Sequence, residues 1–161
     1  MAYRPILWPE EKPALYHLLR QRLLALTDGV RYPMANLANA SALLWDALSD
    51  INWVGFYLMQ EGKLVLGPFQ GKPACVEIAV GKGVCGTAVA QDAVQLVPDV
   101  HAFPGHIACD GASRSEIVVP LHKDGTVAAV LDIDSPLPGR FDASDRDGLM
   151  ALAPLLEALL P

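Results

Sequence analysis

Leucines recur at three- and four-residue steps through Leu15, Leu18, Leu19, Leu23 and Leu26, which predicts a helix over about Pro13 to Leu26, stopped by Thr27-Asp28-Gly29. A second helix follows Pro33, with Leu37, Leu43, Leu44 and Leu48 on its apolar face and Ser49-Asp50 at its end. From Ile51 the pattern changes. Trp53 to Leu58 is aromatic and β-prone, Gln60-Glu61-Gly62-Lys63 turns, and Leu64-Val65-Leu66 returns, which predicts a hairpin. Pro68 to Ala74 reads as a loop, Val76 to Val80 as a short strand, and Gly81-Lys82-Gly83 as a turn opening a short helix through Gln91. Val94 to Val97 is another short strand. Pro98 to Ser113 holds prolines, glycines and two histidines with little periodicity, so it is a long loop of the kind that compact domains keep for function or mobility. Glu116 to Leu121 and Thr126 to Asp134 form a second hairpin around Lys123-Asp124-Gly125. The last helix runs from about Ser144 to Leu160, with Asp142 as its N-cap and Asp145 placed to favour the positive helix end.

Two helices, a hairpin, an irregular middle, a second hairpin and a final helix predict an α+β domain, an antiparallel sheet with helices packed on it. The irregular middle would lie over the other face and enclose a small pocket. The 161 residues fit one domain spanning 1–161, and 52% apolar against 19% charged residues calls for a packed core rather than a disordered chain. A net charge of −6 shows no basic patch for nucleic acid. No apolar run approaches the roughly 20 residues that span a bilayer, and the N-terminal MAYRPILWPEEKP lacks the apolar centre of a signal peptide. The expectation is a cytoplasmic protein without a membrane or nucleic-acid partner, in a compartment that keeps thiols reduced.

Three cysteines, Cys75, Cys85 and Cys109, sit ten and twenty-four residues apart, all in the loop-rich middle. They form no CxxC, so neither a thioredoxin-type motif nor a zinc ribbon is supported, and inert packing and redox chemistry both remain open. Cys85 opens a predicted helix, a position that would lower a thiol's pKa. A metal site of Cys109 with His101 or His106 lacks compact ligand spacing. Asp132 and Asp134 share one face of a predicted strand, and Glu116 could sit beside them across the hairpin. Like charges so placed want a cation or a shared proton, unless they form an ordinary solvated strand end. Trp53 and Tyr57 also share a strand face and could wall an apolar pocket, unless they are core packing. Gly81 to Gly86 lacks Walker spacing, which sets nucleotide hydrolysis aside. His101 and His106 could assist acid–base chemistry from the loop but read first as mobile surface histidines, His17 and His122 have no evident partner, and Trp8 and Trp45 read as packing.

The segments NWVGFYL, LGPFQGKPAC, VGKGVCGTA, HIACDGASRSEIVVP, VLDIDSP and FDASD resemble the free methionine-(R)-sulfoxide reductases, enzymes built on a GAF domain, from about Asn36 to Leu156. The resemblance implies a GAF fold with about six strands, a free methionine (R)-sulfoxide substrate, a homodimer, and thioredoxin or a similar dithiol as reductant, with no metal or organic cofactor. It implies that Cys109 attacks the substrate, that Cys75 resolves by forming a disulfide, and that Cys85 joins in exchange. Cys85 as attacker, or as the main resolving thiol, stays open. Glu116, Asp132 and Asp134 match the family's pocket carboxylates, and Trp53 and Tyr57 its aromatic wall. The competing classes are a small-ligand GAF sensor and a thiol redox sensor. A sensor would usually be fused to an output domain, for which 161 residues leave no room, and neither class accounts for both the cysteines and the carboxylates.

Overall fold

A computed structural model describes residues 3–107 and 109–161. Six antiparallel strands form one sheet in the order β3-β2-β1-β6-β5-β4. They are β1 (Trp53–Gln60), β2 (Lys63–Gly71), β3 (Glu77–Ala79), β4 (Gln95–Val97), β5 (Ser115–Lys123) and β6 (Thr126–Ser135). The helices are α1 (Lys12–Thr27), α2 (Pro33–Ala47), α3 (Gly83–Gln91) and α4 (Ala143–Glu157). The predicted α+β order holds throughout.

Period-two alternation in the central strands gives the sheet two different faces. Val54 and Phe56 of β1, Ile117, Val119 and Leu121 of β5, and Leu131 and Ile133 of β6 turn to one side. There they pack with Leu19 and Leu23 of α1, Leu37 and Leu44 of α2, and Leu149 and Leu152 of α4. Truncating one such leucine to alanine would cost about 2–5 kcal/mol. Trp53, Tyr57, Val118 and Val130 turn to the other side, under Val84, Cys85 and Ala88 of α3. That second face carries the site.

Two departures from the sequence reading matter. Pro68 does not begin a loop, because β2 continues to Gly71. Gly55 pairs with Phe69 but Tyr57 pairs with Leu66, so β2 bulges at Gly67-Pro68, where a proline removes no ladder donor. Gly55 permits this approach: a Cβ there would lie 2.8 Å from the Phe69 Cα and from the Pro68 carbonyl oxygen. Trp45 is not packing either, since it lies on the exposed side of α2, whereas Trp8 is half-buried and donates to Asp46 at 2.9 Å. The long loop is irregular as expected, with a 3₁₀ turn at Val100–Ala102 capped by Asp99.

Two polar clusters tie the helices down. Asp142 caps α4 and forms a reciprocal capping box with Asp145. Asp145, 1% exposed, also accepts from Tyr16 of α1 at 2.8 Å and from Lys12 at 2.7 Å. Burial, with the Asp145 charge next, pushes the Tyr16 hydroxyl well above its ordinary range. At the opposite end of the sheet His122 of β5 does have partners. Its Nε2 meets Asp92 at the end of α3 at 2.6 Å, and its Nδ1 meets Glu157 of α4 at 3.0 Å. Two carboxylates can be satisfied together only by the imidazolium.

The Asp92 hydrogen bond, ahead of the opposing effect of burial, raises the His122 pKa above 6.5. A group whose native pKa is raised contributes stability fully below its unfolded value, and loses that contribution as pH rises through the native value. Chemical denaturation from about pH 5.5 to 8.5 should show the unaltered protein losing stability more steeply than His122→Gln as pH rises above 6.5. Parallel slopes would show that the clamp carries no linked proton.

Candidate active site

The register of the sheet assembles the site. Trp53 of β1 lies opposite Asp134 of β6, and Asp134 lies opposite Glu116 of β5. One step along, Gly55 faces Asp132, and Asp132 faces Val118. Two aromatics and three carboxylates therefore meet on the face under α3, together with Cys85 from the first turn of that helix. These are the sequence-predicted residues, and one pocket brings them together with Cys75 and Cys109.

The floor is an electrostatic cluster out of water. Glu116 and Asp132 are each 6% exposed. Burial, and then the charges of Asp132 and Asp134, push the Glu116 carboxyl well above the usual range. Burial does the same to Asp134, helped by the charges of Asp132 and Asp110. Asp132 is raised by burial but pulled back by hydrogen bonding from Glu116 and Cys85. Burial and mutual repulsion thus favour the protonated forms of Glu116, Asp134 and Cys85, and Asp132 is the carboxyl that Glu116 and Cys85 face. Its buried Oδ1 has no hydrogen-bond partner among the described residues. Among the described residues, Cys85, Glu116 and Asp132 alone have donor atoms close enough for a shared metal ion, within 4.8 Å of one another. Shared protons already account for that closeness, and no histidine joins the group.

The Cys85 expectation is corrected. Its position at the helix start does not make it acidic, because burial, followed by the Asp132, Glu116 and Asp134 charges, raises the thiol well above its ordinary value. The helix end offers a fraction of a charge, against a full desolvation and three carboxyl groups. Cys85 is a buried free thiol.

The rim is built from two chain segments, one held by β1 and the other by Asn52 just before it. Cys75, beyond the end of β2, is joined to Cys109 of the long loop by a disulfide with Cα atoms 5.8 Å apart. The Tyr57 hydroxyl donates to the Cys75 carbonyl at 2.9 Å, and the Trp53 indole N–H donates to the Lys72 carbonyl at 3.1 Å. On the other side Asn52 donates to Asp110 at 3.0 Å and to Ser113 at 3.1 Å, fixing the loop next to Cys109. The aromatic wall is a stack of three rings. Trp53 lies 5.9 Å from Tyr57 and 5.1 Å from Phe69.

Sequence reading missed Phe69, Asn52 and Asp110, and favoured the surface reading of His106 over an acid–base one. Phe69 was placed in a loop. Asn52 and Asp110 meet across 58 residues and carry no periodic signal. His106 is not a surface histidine, because its side chain is 13% exposed and faces the pocket. His101 is exposed.

This sheet, with three helices on one face and a pocket roofed by a short helix and a loop on the other, is the architecture of a GAF domain. A family model described as a GAF domain matches residues 37–160. The chain is 55% identical over 149 residues to the free methionine-R-sulfoxide reductase of Escherichia coli, covering 92% of this chain and 90% of that protein. It is 50% identical over 150 residues to the protein of the same name from Saccharomyces cerevisiae, covering 86% and 83%. The X-ray structure of the Neisseria meningitidis free methionine-R-sulfoxide reductase, in complex with its substrate, superposes with a TM-score of 0.93 at 42% identity, covering 98% of this chain and 95% of that one. The chain belongs to the free methionine-(R)-sulfoxide reductase family of GAF-domain oxidoreductases.

The cluster opposes folding at neutral pH. A carboxyl whose native pKa is raised resists ionisation in the fold, so the stability it leaves in place is greatest below its unfolded value near 4.5 and falls as pH rises toward the native value. Glu116→Gln removes that conflict. Its thermal midpoint should exceed that of the unaltered protein by a few degrees at about pH 7.5, with the gap closing below pH 4.5. A variant less stable at every pH would contradict this account of the floor.

Proposed function

We propose that this chain reduces free methionine bearing an R-configured sulfoxide, and that a closed pocket excludes the peptide-bound form. The observation that carries the proposal is the Cys75–Cys109 disulfide across the rim of a pocket floored by Glu116, Asp132 and Asp134. The names of the E. coli and yeast relatives support it.

Asp134 and the unpartnered oxygen of Asp132 take the substrate's ammonium group, an interaction that offsets their repulsion. Trp53, backed by Tyr57, packs on the methyl-sulfinyl end. Cys109, as thiolate, attacks the sulfoxide sulfur. Glu116, whose burial favours the protonated carboxyl, protonates the oxygen, a poor leaving group without it. The sulfoxide sulfur is reduced by two electrons, Cys109 is oxidised to the sulfenic acid, and methionine leaves. Cys75 condenses with the sulfenic acid, forming the disulfide and releasing water. Thioredoxin or a similar dithiol then resets the pair. With the disulfide formed, the cavity is about 40 Å³. The disulfide-linked form is thus the state after turnover and before re-reduction. A cytoplasmic homodimer protecting the methionine supply against oxidation belongs to the same proposal.

NADPH consumption in the presence of thioredoxin and its reductase tests the reading. Consumption is expected with free methionine (R)-sulfoxide, and none with the free S form or a peptide-bound sulfoxide. Equal turnover of all three, or of none, would sink it. Cys109→Ser should fall to background, whereas Cys75→Ser should release one methionine per chain and stop. Asp134→Asn should raise KM about tenfold or more, the weight of one charged hydrogen bond; an unchanged KM would remove Asp134 from substrate binding.

A further inference from the structure

His106 has no part in the steps above, yet the fold brings its ring into the pocket. The loop between β4 and β5 turns back so that His106 Nε2 lies 3.9 Å from Glu116 Oε2, with side chains only 13% and 8% exposed. One bridging water or a small movement of the loop spans that gap.

Each turnover leaves Glu116 without its proton. Cys109 gives up a thiol proton before it attacks, and Glu116 gives one to the sulfoxide oxygen. The oxygen then stands on Cys109 as the sulfenic hydroxyl. It leaves as water with the proton released by Cys75 as the disulfide forms. Two thiol protons enter and one water leaves, so the Cys109 proton has to return to Glu116. The other titratable groups around Glu116 are poorly placed for that transfer. Asp132 and Asp134 of β6 and Cys85 of α3 belong to the same proton-sharing cluster. The Tyr57 hydroxyl of β1 is committed to the Cys75 carbonyl. Lys82, just before α3, lines the pocket but is exposed to solvent. His101 is exposed and Asp110 is committed to Asn52 and the Ala112 N–H.

We infer that His106 is the proton relay of this site, returning the proton lost by the Cys109 thiol to Glu116 after each sulfoxide reduction. It acts through Glu116 and touches no reacting atom, so its role is to position the proton. The inference rests on the function proposed above. Burial, with the neighbouring His101 second, lowers the His106 pKa below 6.5, so at neutral pH the ring is a free base able to accept and pass on a proton.

The test is the steady-state rate of methionine formation from free methionine (R)-sulfoxide over repeated turnovers, with the dithiol reductant in excess, from about pH 5.5 to 9, for the unaltered chain, His106→Gln and His106→Ala. Gln keeps a hydrogen-bonding side chain in the loop but does not titrate. The expected result is a maximal rate lowered about tenfold to a hundredfold in both variants, half-saturation within about twofold of the unaltered protein, and loss of the pH inflection that belongs to the imidazole. Added imidazole should restore part of the rate to His106→Ala in proportion to its concentration. Rates within about twofold of the unaltered protein across the pH range would overturn the relay, as would a slowed His106→Ala that imidazole does not help. An unaltered protein that forms no methionine would overturn the proposed function and the relay with it; an active one with indifferent His106 variants overturns the relay alone.

Discussion

Trp53, Asp134 and Glu116 lie in one row across three strands, and a slip of one residue in either pairing would turn a carboxylate into the leucine-lined side of the sheet. The alternation of β5 and β6 forbids that slip. Ile117, Val119, Leu131 and Ile133 would lose their places against α1, α2 and α4 at the same time. The apolar face therefore sets the register, and the register places the charges. The two-residue period lets one strand serve both the core and the chemistry without compromise between neighbours.

The site is held at a cost in stability that other parts of the fold offset. Three carboxyl groups in low dielectric repel one another and resist ionisation. They stay because the helix-packed face is fully buried and because polar clamps at both ends of the sheet fix the covering elements. His122 draws the end of α3 and the end of α4 to β5. Asp145 joins α1 to α4. The start of α3, which carries Cys85, is thus mounted on a helix whose far end is pinned.

How much of this was legible in the sequence follows from the range of each interaction. The faces of β1, β5 and β6 follow from local alternation, which is why Asp132, Asp134, Trp53 and Tyr57 could be grouped from sequence alone. The Asp142 cap was legible for the same reason, being set by neighbours two and three residues on. Phe69 was not, because a bulge opposite Gly55 keeps a proline-bearing segment in the sheet, and nothing local to Pro68 says so. Neither Asn52 with Asp110 nor His106 with Glu116 is periodic; each depends on where a long loop returns. The acidity of Cys85 was misjudged for a related reason. Its helix position is a local fact, but the carboxylates that govern it arrive from two other strands.

Charge sorts the three thiols. Buried carboxyl groups repel a thiolate, so a cysteine on their floor is kept protonated, as Cys85 is. Nucleophilic sulfur has to stand off from that field while still reaching the substrate. The rim satisfies both demands. Cys75 and Cys109 come from segments outside the sheet, held by Tyr57 and Trp53 on β1 and by Asn52 just before it. The strand that supplies the aromatic wall, with the residue before it, thus also fixes the two sulfurs beside it. The acidic floor and the disulfide at the half-buried rim are thus kept apart on the same face of the sheet.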